Sequence, residues 1–179
     1  MKNNIFFSIF VTTYNSSKYI LKIIKSLERQ TYKNYEIIVV DDFSSDNKIE
    51  LLKSKKLKII KNINNFVGPG VGRNKGLEEA SGDWIIFFDA DDFWKKDALK
   101  LFYHNINKYT DINIFSFREI RKDFEKRKIT KLNFKDYKKN YFFNMLIYGN
   151  QLSPSSTTIS VKFLRKNNLK FSEDVNFIS

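Results

Sequence analysis

Trp84-Ile85-Ile86-Phe87-Phe88-Asp89-Ala90-Asp91-Asp92 is the stretch on which the fold turns. Its first five residues are aromatic or aliphatic, with no polar residue alternating between them. A run this short and this apolar reads as a strand covered on both faces, as strands of parallel sheets are. It ends abruptly in carboxylates, which puts acids at a strand's carboxyl end.

The same grammar recurs on either side. Ile5 to Val11 is an apolar run that ends in Thr12-Thr13-Tyr14-Asn15-Ser16-Ser17, a polar loop that leads to a helix N-cap. Tyr35 to Val40 is another, stopping at Asp41-Asp42, and Leu57 to Ile60 is a third. Between them Ile20, Leu21, Ile23, Ile24 and Leu27 recur at helical spacing, and a short helix carries Ile49, Leu51 and Leu52. Asn62 to Gly72 reads as a loop. Val71 to Ala80 then reads as a helix ended by Ser81-Gly82, with a further helix from Lys96 to Asn107 and a strand from Ile112 to Phe117. Strand and helix in alternation predict an α/β fold over residues 1–179, with a mostly parallel central sheet and helices on both faces. Ligands of such sheets lie outside the carboxyl ends of the strands, so the three polar clusters should gather on one edge. The later chain is less regular: a basic excursion over Arg121 to Lys139, a helix around Tyr141 to Tyr148, and a strand over Ser155 to Val161.

Composition narrows the chemistry. The 179 residues include no cysteine and one histidine, His104, so thiolate zinc sites, disulfides and a Cys nucleophile are excluded, and a His-based metal cage is disfavoured. A metal here would be held by carboxylates, which suits Mg²⁺ or Mn²⁺. The net charge of +12 suits anionic partners: nucleic acid, lipid head groups or a phosphorylated small molecule, or simply a well-solvated surface. The chain lacks an 18-residue apolar run, and Ser8 interrupts the first apolar stretch, which no small-residue cleavage site follows. The expectation is therefore a cytoplasmic protein, with the basic stretch around Lys126, Arg127 and Lys128 available for peripheral contact at the inner membrane face.

Three clusters carry the chemistry. Repulsion among Asp89, Asp91 and Asp92 at a sheet rim is relieved by a divalent cation, and a cation held by one or two side chains keeps positions open for phosphate oxygens. A helix-loop-helix calcium site is excluded by Phe93 and Trp94, which stand where an oxygen ligand and a glycine are required. The alternative is an acidic turn that caps the next helix. In Asp41-Asp42-Phe43-Ser44-Ser45-Asp46, Ser45 or Asp46 can cap the following helix, leaving Asp41 and Asp42 as functional candidates able to accept a base N–H. Gly68-Pro69-Gly70-Val71-Gly72-Arg73-Asn74 lies too late in the chain for a dinucleotide fingerprint, but it brings Arg73 to a helix start beside the same rim, either to pair with a base or phosphate or as a solvated helix residue.

Taken in order, Phe10-Val11-Thr12-Thr13-Tyr14-Asn15, Ser26-Leu27-Glu28-Arg29-Gln30-Thr31-Tyr32, Val39 to Asp46, Gly72-Arg73-Asn74-Lys75-Gly76-Leu77 and Gly82 to Asp92 resemble family 2 glycosyltransferases of GT-A fold. The resemblance is strong over about the first 120 residues and looser beyond. It implies that Thr12, Tyr14, Asp42 and Arg73 hold a nucleotide, with Asp42 facing the base. It also implies that Asp89 and Asp91 form the family's Asp-x-Asp, contacting ribose and a metal-bound diphosphate, with Asp91 the metal ligand and Asp92 the other candidate. Phe171-Ser172-Glu173-Asp174-Val175-Asn176-Phe177 is similar to the family's late acidic element, which makes Asp174 the candidate catalytic base, or else an ordinary acidic helix start. The family normally continues past this point, so the chain reads as truncated at its C-terminus.

The resemblance thus implies transfer of a sugar from a nucleotide-diphospho-sugar, with a lean to UDP, to an acceptor hydroxyl. The reaction would depend on Mn²⁺ or Mg²⁺, invert the anomeric centre, and serve cell-surface glycan synthesis on a glycan or lipid-linked glycan acceptor. Nucleic acid is not expected as a partner. The competing classes are a basic nucleic-acid-binding module, which lacks a recognition signature here, and a metal-dependent phosphohydrolase.

Overall fold

The computed structural model describes residues 4–46, 52, 54–62, 68–89, 92–115 and 153–173. The elements are β1 (Phe7–Thr13), α1 (Ser17–Glu28), β2 (Tyr35–Asp42), β3 (Leu57–Asn62), α2 (Pro69–Glu79), β4 (Trp84–Phe88), α3 (Ala98–Asn105) and β5 (Ile112–Ile114). A 3₁₀ turn (Pro154–Ser156), β6 (Thr157–Ser160) and α4 (Val161–Lys166) complete them.

The strands form one six-stranded sheet in the order β3-β2-β1-β4-β6-β5. β1 pairs in parallel with β2 and β4, and β2 with β3, whereas β6 runs antiparallel to both β4 and β5. Successive strand residues point to opposite faces, so each central strand feeds two cores. On one face Phe7, Ile9, Val11, Ile37, Val39, Ile86 and Phe88 pack under α1 and α3, which contribute Ile20, Ile23, Ile24, Leu27, Leu99 and Phe102. On the other, Phe10, Ile38, Val40, Ile85 and Phe87 meet Leu77 and Ala80 at α2 and Val161 and Leu164 of α4. Each fully buried aliphatic side chain contributes about 1.5–3 kcal/mol. The α/β architecture with helices on both faces is therefore as the sequence indicates.

Several boundaries differ. α2 starts at Pro69, two residues ahead of the expected start, because proline at the first helical turn has its φ set for a helix and no N–H to satisfy there. Ser16 stands at the N-cap of α1 but its hydroxyl donates to the Tyr14 carbonyl at 2.9 Å instead of capping. The last strand is shorter than 155–161 and turns at once into α4, a helix whose six residues are too few to show a period. The expected helices around 49–52 and 141–148 and the basic excursion over 121–139 lie outside the described residues, apart from buried Leu52.

Candidate active site

The parallel register fixes which residues share an edge. Thr13 is opposite Asp41, and Val11 is opposite Phe88, so the polar ends of β1, β2 and β4 emerge side by side. The three clusters thus meet at one rim.

β2 ends in two carboxylates that its pleat sends to opposite faces. Asp41, on the α1 side, accepts the Ser44 N–H at 3.3 Å. Asp42, on the α2 side and only 5% exposed, accepts from the Asn62 amide at 2.9 Å and from the Gly68 N–H at 2.8 Å. Gly68 takes up φ 88°, a left-handed backbone open to glycine at little cost, and so turns its N–H onto Asp42. Sequence alone does not mark Asn62 or Gly68 as partners of Asp42, because their roles depend on β3 and α2 meeting at this corner.

The loop after β1 is clasped to the loop after β2. The Asn15 N–H donates to the Ser44 hydroxyl at 2.8 Å, and the Asn15 side-chain oxygen accepts from the Ser45 N–H at 3.0 Å and hydroxyl at 3.2 Å. Ser45, with Asp46 one of the two expected caps of the following helix, thus donates to Asn15 from both its N–H and its hydroxyl, and the helix itself lies outside the described residues. Tyr14 stands 47% exposed above this clasp, while Thr12 is half-buried under α2, where Gly72 lies so close that a Cβ there would press on the Thr12 methyl.

Arg73, in the first turns of α2, places its guanidinium 3.6 Å from the Asp89 carboxylate. The same guanidinium lies over the Phe171 ring, 5.4 Å from its centroid. The Asp89 N–H is fixed by the Ser155 hydroxyl at 3.0 Å, and the Asp92 N–H folds back to the Asp89 carbonyl at 3.1 Å. The Trp94 indole N–H donates to the Ser155 carbonyl at 3.0 Å, so one serine anchors the acidic turn from both ends. Ser155 carries no sequence signal beyond belonging to a serine-rich stretch. Asp91 and Asp174 lie outside the described residues.

Among the described residues no group of three or more His, Cys, Asp or Glu side chains could hold a metal. The hard oxygen donors present suit a cation of the Mg²⁺ or Mn²⁺ kind that is bound by one or two carboxylates and completed by substrate phosphates and water. Also among the described residues, no helix is long and apolar enough to cross a membrane.

A mostly parallel sheet with carboxylates and an arginine at the carboxyl ends of its central strands is an α/β architecture that this chain shares with solved glycosyltransferases of GT-A fold. The chain belongs to glycosyl transferase family 2, whose profile matches residues 8–166. The poly(ribitol-phosphate) beta-N-acetylglucosaminyltransferase TarS of Staphylococcus aureus is 38% identical over 100 residues, which cover 52% of this chain and 18% of that protein. A poly(ribitol-phosphate) beta-glucosyltransferase of Bacillus spizizenii is 37% identical over 114 residues, 60% of this chain and 18% of that protein. Among solved structures, S. aureus TarS 1–349 in complex with UDP-GlcNAc superimposes with a TM-score of 0.68 at 28% identity, covering 97% of this chain and 50% of that one. The chain therefore spans half, or less, of the proteins it resembles. The family match covers most of the chain, and the nucleic-acid and phosphohydrolase readings gain no support from it.

Proposed function

We propose that this chain transfers a sugar from a UDP-sugar, UDP-GlcNAc being the first to test, to a hydroxyl of a cell-surface glycan polymer. The observation that carries the reading is the meeting of Arg73 and Asp89 at 3.6 Å on the rim where β1, β2 and β4 end. In support, UDP-GlcNAc is the ligand of the TarS structure, and poly(ribitol-phosphate), the polymer in the names of two relatives, is a polyanion suited to a chain of net charge +12.

In this reading Thr12 and Tyr14 flank the nucleotide, and Asp41 and Asp42 close its base end. Asp42 accepts the base N–H on a carboxylate already oriented by Asn62 and Gly68. Arg73 pairs with the diphosphate. Asp89 receives the ribose, and Asp91, or else Asp92, would hold Mn²⁺ or Mg²⁺. When bound, such a cation stabilises the charge that grows on the departing diphosphate. The acceptor hydroxyl oxygen forms a bond to the anomeric carbon from the face opposite the diphosphate, and the carbon–oxygen bond to phosphate breaks. Asp174 takes the hydroxyl proton, UDP leaves with the bonding pair, and the anomeric centre inverts. The work is set on the cytoplasmic side, where nucleotide sugars are made, with peripheral contact at the membrane face.

Calorimetry with UDP-GlcNAc in Mn²⁺ and in EDTA tests this. Binding should appear in Mn²⁺, weaken at least tenfold in EDTA, and vanish with Asp91→Ala. Equal affinity in both buffers removes the metal role, and absence of binding to any nucleotide sugar removes the transferase reading.

A further inference from the structure

The segment Val161–Glu173 runs along α2 from its last turn to its first. At the C-terminal end of α2, one Arg165 nitrogen donates to the carbonyls of Leu77, Glu78 and Ala80 at 3.0, 3.3 and 2.7 Å, satisfying acceptors a helix end leaves open. Toward the other end, Asn74 holds Phe171 as a neighbouring strand would. The Asn74 side-chain oxygen accepts the Phe171 N–H at 2.9 Å, and the Asn74 amide donates to the Phe171 carbonyl at 3.0 Å. The same amide donates to the Glu173 carboxylate at 2.7 Å. Asn74 is 5% exposed, so these partners satisfy a polar side chain that would be costly to bury alone.

One turn earlier, Gly70 faces the same segment. A Cβ at Gly70 would overlap the Ser172 carbonyl. Gly70 and Asn74, four residues apart on one helix face, thus form a seat for Phe171–Glu173. The seated Phe171 ring is wedged between the Arg73 guanidinium and Phe87, with an edge-on contact of 4.8 Å to the latter. Phe87 is one residue before the end of β4, close to Asp89. The clamp therefore couples the arginine of the donor rim to a segment that lies 97 residues beyond Asn74 in the chain.

We propose that Asn74 is a positioning residue. Together with Gly70 it locks Phe171–Glu173 onto the first turns of α2, and so fixes, beside Arg73, the point from which the sequence continues to Asp174. This rests on the transferase reading above, in which Asp174 accepts the proton. Asn74 touches neither donor nor acceptor; it acts through Glu173 and Phe171. A misplacement of about 1 Å at a reacting group costs as much as 10²-fold in rate, which gives the clamp its leverage.

The test compares Asn74→Ala, Asn74→Asp and Gly70→Ala with the wild type by hydrogen exchange of residues 169–173, by UDP-GlcNAc affinity, and by UDP release from UDP-GlcNAc in Mn²⁺. Asn74→Asp keeps the acceptor for the Phe171 N–H but faces Glu173 with a like charge. Gly70→Ala displaces the segment without touching Asn74, so it stands in should Asn74→Ala not fold. The expected result is faster exchange at Phe171 in all three, donor affinity within about threefold of wild type, and UDP release lowered at least tenfold. Glu173→Gln added to Asn74→Asp should recover part of the rate, because the new amide donates to the new carboxylate while the Phe171 carbonyl still lacks its donor. Unchanged exchange overturns the clamp. Faster exchange with unchanged UDP release overturns the positioning role and leaves a structural contact. Wild-type protein that neither binds nor turns over any nucleotide sugar overturns the transferase reading and the positioning role with it, while exchange alone still decides whether Asn74 holds the segment.

Discussion

Phe43 occupies a place in the acidic β2 turn where a side chain is a burden. Its φ is 67°, in the left-handed region, and its ring is 48% exposed. A residue with a Cβ gives up about 1–2 kcal/mol there. The turn is held around it by the Ser44 N–H on Asp41 and by the Asn15 clasp on Ser44 and Ser45, so the conformation is imposed by its neighbours. Phe43→Gly should therefore be more stable than Phe43→Ala by about 0.5–1 kcal/mol, the left-handed penalty less the greater freedom of unfolded glycine. Urea midpoints of the two variants measure this, and equal midpoints would show that the neighbours do not force the backbone. At this scale the sequence is half-legible. Asp41, Asp42, Arg73 and Asp89 stand out because acids and an arginine beside apolar strand ends have few structural reasons to be there. The groups that hold them, Asn62, Gly68 and Ser155, do not, because an asparagine or serine reveals its partner only when the chain has brought two distant segments together.

α2 is the element that makes the site, and it lacks the apolar stripe expected of a helix on a sheet. What faces β1 and β2 is Gly72, Gly76, Leu77 and Ala80. Gly72 rests on Thr12 and Gly76 on the Phe10 ring, letting the helix axis approach until Arg73 reaches the rim. Gly76→Ala would drive its Cβ into Phe10, itself 1% exposed and packed edge-on against Phe87 at 5.6 Å, so neither ring has room to yield. The variant should lose about 1–3 kcal/mol, as overpacked cores do, and its donor affinity should fall with it as Arg73 is pushed from Asp89. Denaturant melts and calorimetry on the same preparation check both. If stability drops while affinity holds, the close approach of α2 serves packing alone. The central strands are legible as short unbroken apolar runs and α1 by its helical period, both of them local properties. α4 and the Arg165 cap on α2 are not, since a six-residue helix has too few turns to show a period; β6 lies within the strand expected over 155–161 and is cut short by the turn into α4.

On the scale of the whole molecule, the candidate site and a tyrosine cluster lie at opposite rims of one sheet. The carboxyl ends of β1, β2 and β4 carry the acids, whereas the amino ends carry a tyrosine cluster. There Tyr35 is 3% exposed, its hydroxyl donates to the Leu27 carbonyl at 2.9 Å, and the Lys56 ammonium sits 4.3 Å over its ring. Burial, and after it the charge of Glu28, pushes the Tyr35 hydroxyl up to about 12 from its ordinary value of 10.0. Between those values the unfolded chain has released a proton that the folded protein keeps, so the unfolded state binds fewer protons and stability falls as pH rises. The contribution is complete below pH 10 and is lost progressively toward pH 12. Tyr35→Phe removes the hydrogen bond and the titrating group together. It should cost about 0.5–1.5 kcal/mol at pH 7, a typical hydrogen-bond contribution, and flatten the decline of the urea midpoint between pH 10 and 12. Because the substitution lies at the far rim, UDP-GlcNAc affinity at pH 7 should stay at the wild-type value. An affinity that changed with it would mean that the two rims are coupled through the strands, and that the sheet transmits strain from its amino ends to the site.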